Sequence, residues 1–237
     1  MLKRIADTTK DDATLRWVGQ TLTSMGESLM APGQSKAEGQ AAELITQGIK
    51  TYKALSDQEN TTTAYLLGRS QRLVGQYQGA TNTFAELLKK NPLMLEAQIE
   101  AAMVYEAWAG TLPPNIAYKA YRAALEGSRP DKNKKNTIWG WAEISTKTSK
   151  MINQNENFKE KFFESRYHVA LCLYLMGKAA KQDNDIKKAI KVIREAATLF
   201  PDLGGPVRRA EYDALMKESQ RAVGEPATGI GKAPAKN

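Results

Sequence analysis

The 237-residue chain is poor in the side chains that most protein chemistry requires. It has one cysteine, Cys172, so no internal disulfide and no cysteine-based zinc site can form. Its one histidine, His168, argues against multi-histidine metal centres and most Ser-His or Cys-His catalysis. No GxxxxGK[ST], HExxH, GxSxG or CxxC pattern occurs, and GIGK at 229–232 stands alone with no strand before it. The longest apolar run, VALCLYLM at 169–176, falls far short of the roughly 20 residues that cross a bilayer. The basic start MLKRIADTTKDD leads into no apolar h-region, so no signal peptide is visible and the compartment stays open. Strand-type alternation is almost absent. These gaps argue against an enzyme, a resident metal or cofactor, and membrane insertion.

What remains is helical. Apolar residues make up 42% and charged residues 25%, an ordinary balance for a globular chain. The net charge of +8 permits acidic partners, nucleic acid or anionic surfaces without requiring them. Segments with a 3.6-residue apolar period are separated by breakers: MAPGQS (30–35), SDQENTT (56–62), KKNP (89–92), GTLPPN (110–115), GSRPDKNKKN (127–136), NQNEN (153–157), KQDND (181–185) and PDLGGP (201–206). Asp11 or Asp12 is placed to cap the first helix, Ser35 the second, and Thr61 or Thr62 the third. Asn91 and Phe200, each before a proline, should end helices, because proline pushes the preceding residue out of the helical region. The Gly-, Pro- and Ala-rich tail at 223–237 reads as disordered.

One stretch shows how the helices should pair. Between Thr61 and Met94 stand Leu67-Gly68, Val74-Gly75, Tyr77, Ala80, Phe84, Leu87 and Pro92. Two helices cross closely where small residues face each other, here Gly68 and Ala80. Gly75 ends the first helix, Tyr77 plugs the turn, and Phe84 and Leu87 form the second helix's apolar face. This pattern resembles the tetratricopeptide repeat, a 34-residue helix–turn–helix unit. Related patterns recur with departures: Ala102, Tyr105, Trp108, Ala117 and Tyr121; Ala170, Gly177, Ala189 and Ile193; and Leu15, Gly19, Gly26, Ala41, Ile45 and Gly48. The resemblance implies an all-α right-handed solenoid of antiparallel helix pairs. Its units are 12–56, 61–94, 95–130 and 158–202, preceded by a lead at 1–11. An extra Trp-bearing helix at 137–152 and a capping helix at 206–222 complete it.

In that family the first helix of each unit lines a concave groove. Carried over by position, the groove residues are Arg16; Tyr65, Arg69 and Arg72; Glu96, Met103 and Glu106; Tyr167 and Tyr174. They imply a scaffold docking a peptide or helix of mixed charge. Leu66, Glu96 and Glu100 stand where a carboxylate clamp would need Asn and basic residues, which argues against a clamp. The alternative from another class is binding of RNA or another polyanion, suggested by the net charge and by KNKK (132–135). His168 and Cys172 lie four apart but lack a third ligand, so structural roles are expected for both. Packing roles are expected for Trp139 and Trp141.

Overall fold

The computed structural model describes residues 2–57, 60–128 and 136–231. Among them are eleven α-helices and no strand. In chain order these are α1 (Leu2–Thr8), α2 (Asp12–Ser28), α3 (Gly39–Lys53), α4 (Thr61–Leu73), α5 (Tyr77–Lys90) and α6 (Leu95–Ala109), then α7 (Pro114–Glu126), α8 (Gly140–Ser149), α9 (Glu156–Ala180), α10 (Asp183–Leu199) and α11 (Pro206–Ala222). Consecutive helices pack on one another: α1 on α2, α2 on α3, α3 on α4, α4 on α5, and later α7 on α8, α8 on α9, α9 on α10 and α10 on α11. The chain divides into two compact units, Met1–Trp108 and Ala109–Asn237. Helix α6 belongs to the first unit except for its last residue, Ala109, and α7 belongs to the second.

The caps follow simple chemistry. The Asp11 carboxylate accepts from the Thr14 N–H at 2.8 Å and opens α2. Asn60, rather than Thr61 or Thr62, caps α4 by accepting from the Thr63 N–H at 3.1 Å. Asparagine is among the strongest N-caps, and its use moves both threonines inside the helix. Ser35 does not cap α3, which starts at Gly39 after an extended Glu38 with no side-chain cap. Asn91 and Phe200 are the C-caps of α5 and α10, where the prolines require. The lead at 1–11 is not featureless: Leu2, Ile5 and Ala6 share a helical face, and Ala6 packs on the cluster of Leu15, Tyr52 and Leu55.

In the first unit, glycine sets the distance between helices. A Cβ on Gly19 would stand 2.7 Å from the Tyr52 ring, and one on Gly26 would stand 2.6 Å from Ile45. A Cβ on Gly48 would meet the Thr23 hydroxyl at 2.6 Å and the Gly19 carbonyl at 2.9 Å. Rising numbers in α2 thus meet falling numbers in α3, so the pair is antiparallel. In α4 and α5 the glycine at 68 faces an aromatic ring, and Ala80 is fully buried. The three atoms nearest a Gly68 Cβ all belong to the Phe84 ring, the closest at 2.8 Å. The missing side chain is a socket for an aromatic ring. Mid-helix glycine costs about 1 kcal/mol, and full burial of Phe84 returns roughly 2–3 kcal/mol, so the exchange favours the fold. The chain reverses after α4 at Gly75, whose φ of 76° suits glycine.

The second unit is built around α9, which runs 25 residues and touches α7, α8, α10 and α11. The residues between the apolar stretches of α9 and α10 lengthen the helices rather than the turn. Helix α9 continues to Ala180, and Lys181 turns the chain in the left-handed conformation at φ 53°. Gly177 then lies against Ile186 and the Gln182 carbonyl. Between α7 and α8 a single antiparallel bridge joins Ser128 to Ile138. Gly127 (φ 86°) and Gly140 (φ 67°) touch backbone to backbone beside it. KNKK (132–135) lies outside the described residues. Phe162, Phe163 and Phe200 pack edge to face at 5.1–5.4 Å, and the buried Tyr212 hydroxyl donates to the Phe163 carbonyl at 3.0 Å. The tail is ordered where its composition predicts disorder: as far as Gly231 it lies against α11, held by side chains of that helix. Residues 232–237 lie outside the described residues.

Gly68→Leu should lose about 1–3 kcal/mol by overpacking against Phe84; urea unfolding measures it, and a neutral result would contradict the close approach. The pH dependence of the first unit should also report on Asp12. Its carboxylate accepts from the Ser56 hydroxyl, the Ser56 N–H (3.0 Å) and the Asp57 N–H (3.1 Å), tying the start of α2 to the chain after α3. These bonds, the Ser56 hydroxyl first, hold its pKa below the ordinary 3.8. A depressed folded pKa stabilises above the unfolded value, and that stability is lost as pH falls through the folded value. Asp12→Asn should therefore flatten the acid limb of a Tm-against-pH curve, which a calorimetric series below pH 5 would read.

Candidate interaction face

Arg69 and Arg72 sit three apart on α4 and so share a face. Arg69 reaches Glu27 of α2 at 3.0 Å and Glu100 of α6 at 3.4 Å, and Arg72 grips the other oxygen of Glu100 at 2.7 Å. One carboxylate is thus held between two guanidinium groups. Arg72 and Glu100 are well buried, their side chains 11% and 10% exposed, whereas Arg69 is 36% exposed. Burial makes this pairing obligatory, because a desolvated charge without a partner is far more costly than the pair.

Two hydrogen-bonding links continue the seam. The Arg16 guanidinium donates to the Thr63 hydroxyl at 3.0 Å, and the buried Thr23 and Ser70 hydroxyls lie 3.2 Å apart. Both pairs are separated by 47 positions, so α2 and α4 run parallel at constant register. Beside the arginines, the Tyr65 ring meets Phe84 edge to face at 6.4 Å. Burial raises the Tyr65 pKa, Glu100 and Glu96 push it further up, and Arg69 and Arg72 pull it down. Burial likewise pushes the Tyr52 phenol up to about 12. Both phenols are neutral at physiological pH.

The structure therefore gathers Tyr65, Arg69, Arg72 and Glu96 around Glu100, with Arg16 further along the same seam. Glu96 is exposed, and Met103 and Glu106 are half-buried on α6. Tyr167 and Tyr174 belong to the second unit. Tyr167 is half-buried, edge-on to Tyr212 at 5.4 Å, with the Arg208 guanidinium 5.5 Å from its ring. Tyr174 is buried, with the Lys178 ammonium 5.4 Å from its ring. Sequence reasoning missed Glu27 and Glu100 as partners of the arginines. Both are ordinary helix-surface residues until the register of α2, α4 and α6 is known.

The remaining candidates pack against other side chains. His168 stacks on the fully buried Trp141 at 4.3 Å, and Cys172 is buried. Among the described residues no group of three His, Cys, Asp or Glu side chains is placed to hold a metal. Trp139 is buried under the Lys147 ammonium, 4.4 Å away. No helix among the described residues is long and apolar enough to cross a membrane. On α2, Trp17 and Met25 are exposed and border an opening of about 500 Å³. Compared with protein-family models, curated proteins and solved structures, the chain has no match.

Removing Glu100 should leave Arg72 buried without its partner. Glu100→Ala is expected to destabilise by about 3 kcal/mol. Adding Arg72→Ala should cost much less than the sum of the single changes, with a coupling of about 1–3 kcal/mol in a double-mutant cycle. Additive costs would mean that the pair does not interact.

Proposed function

We propose that the chain is a protein–protein interaction scaffold, a tetratricopeptide-like solenoid whose face on α2, α4 and α6 docks an extended peptide or a helix. No covalent chemistry and no cofactor belong to this reading. The observation that carries it is the parallel alignment of α2 with α4, joined by side-chain links at a constant offset of 47. Parallel first helices are what a stack of helix pairs requires, and such a stack offers a continuous face rather than a closed pocket. The face is also chemically mixed: a phenol, a partly exposed guanidinium and an exposed carboxylate lie around one ion-pair cluster. A peptide carrying apolar and charged side chains suits it.

The rival reading, RNA or another polyanion, is favoured by the net charge of +8. At this face it is disfavoured, because Arg69 and Arg72 are already neutralised by Glu27 and Glu100. The two readings separate by salt. A polyanion should dissociate with a log–log slope near the number of phosphates contacted, whereas a peptide should show a shallow dependence.

The test uses a partner captured from the native host and then purified. Tyr65→Ala with Glu96→Lys should weaken its binding by about tenfold or more, the scale of losing an interface anchor. Tyr65→Ala also gives up the ring contact with Phe84, so circular dichroism and a melting curve establish that the double variant is folded before its affinity is read. Unchanged affinity in a folded double variant would overturn the proposed face.

A further inference from the structure

The C-terminal segment is held in a way that a packing tail does not require. Three side chains of α11 address consecutive backbone groups. The Gln220 carbonyl accepts from the Gly229 N–H at 2.9 Å while its amide donates to the Thr228 hydroxyl at 3.0 Å. The Asp213 carboxylate accepts from the Ile230 N–H at 2.9 Å. The Arg209 guanidinium donates to the Gly231 carbonyl at 2.7 Å. Positions 209, 213 and 220 are spaced i, i+4 and i+11, so they form one face of the helix. Gln220 is only 2% exposed, and both its amide and its carbonyl bond to the segment.

Recognition is also steric. Gly229 has a φ of 69°, and a Cβ there would collide with the Asp213 carboxylate and stand 2.9 Å from Lys217. Only glycine fits at that point. Upstream, Arg194 of α10 pairs with Glu225 at 3.3 Å, and an opening of about 460 Å³ beside the segment is bordered by Arg194, Thr198 and Met216. A glycine requirement, main-chain hydrogen bonds and a charged anchor are together the chemistry of a peptide-binding site.

We infer that the α11 face carrying Arg209, Asp213 and Gln220 is a recognition site for a Glu-Pro-Ala-Thr-Gly-Ile-Gly peptide that ends in a glycine turn, filled in cis by residues 225–231 and able to take the same sequence from a second copy of the chain. It is separate from the face proposed on α2, α4 and α6, and its success or failure does not depend on that face. The Asp213 carboxylate is suited to the role. Burial pushes its pKa up, but the bonds from Lys217 and Ile230 and the charges of Lys217 and Arg209 bring it below the ordinary value, so it is an ionised acceptor at neutral pH.

The experiment uses the full chain. Gly229→Val ejects the chain's own segment by its Cβ and its φ while leaving α11 untouched. A fluorescein-labelled peptide of residues 225–231 should then bind the Gly229→Val chain, read by anisotropy, and bind the wild-type chain at least about tenfold more weakly because its site is occupied. Adding Asp213→Ala or Arg209→Ala, both at partly exposed positions, should weaken the peptide by about tenfold each, as expected for losing a charge-assisted hydrogen bond. Circular dichroism should show the helical content of wild type throughout. Three results would each overturn the inference: a folded Gly229→Val chain that ignores the peptide, peptide binding indifferent to Asp213 and Arg209, or collapse of the Gly229→Val chain, which would make the segment an inseparable part of the fold.

Discussion

Glycine against a large side chain is the contact on which the helix pairing rests. Tyr52 lies over Gly19, Ile45 over Gly26, Phe84 over Gly68 and Ile186 over Gly177. In each case the helix that lacks a side chain receives the bulk of its partner, and both elements gain apolar burial at close range. The gain from burying an aromatic or branched side chain exceeds the propensity loss of a glycine, so the sequence tolerates glycine in mid-helix at these positions. Contacts of this kind are directional. They fix which turn of one helix meets which turn of the next, and polar side chains elsewhere on α2 and α4 set the second layer of specificity.

That second layer is polar. Helix pairs could stack through apolar surface alone, but such surface slides. The Arg16–Thr63, Thr23–Ser70, Glu27–Arg69 and Arg72–Glu100 links have fixed partners and fixed lengths, and the first two share the offset of 47 that aligns α2 with α4. Ion pairs that are largely buried add little net stability, since desolvation offsets much of their attraction. Their use here is to penalise every other register. In the second unit the same task falls to α9, whose length lets it contact four other helices, and to the bond from Tyr212 to the Phe163 carbonyl.

Much of this was legible in the residues. The all-helical class, the start of α2 at Asp11, the ends of α5 and α10 before prolines, the separate helix carrying Trp141 and the closing helix α11 all follow from local chemistry. What local chemistry does not carry is register. Arg69 and Arg72 could be chosen as face residues, yet Glu27 and Glu100 could not be matched to them without knowing how α2, α4 and α6 align. Tyr174 was selected by its position in the repeat, and the structure buries it. The ordered tail escaped notice for a related reason. Gly- and Pro-rich composition signals the lack of a self-made core, and says nothing of hydrogen bonds supplied by a distant helix. Ser35 was an equally good cap by composition, but the chain stays irregular until Gly39, and the helix begins there.

The distribution of tryptophan gives the two units different optical surroundings. Trp17 is exposed, and Trp108 lies 6.5 Å from the Tyr77 ring, both in Met1–Trp108. Trp139 and Trp141 are buried in Ala109–Asn237, and the latter carries the chain's only imidazole flat against its indole. Unfolding carries both indoles of the second unit from a buried setting into water, whereas in the first unit Trp17 is exposed already and only Trp108 changes its surroundings. Intrinsic fluorescence therefore weights the second unit over the first without any added label.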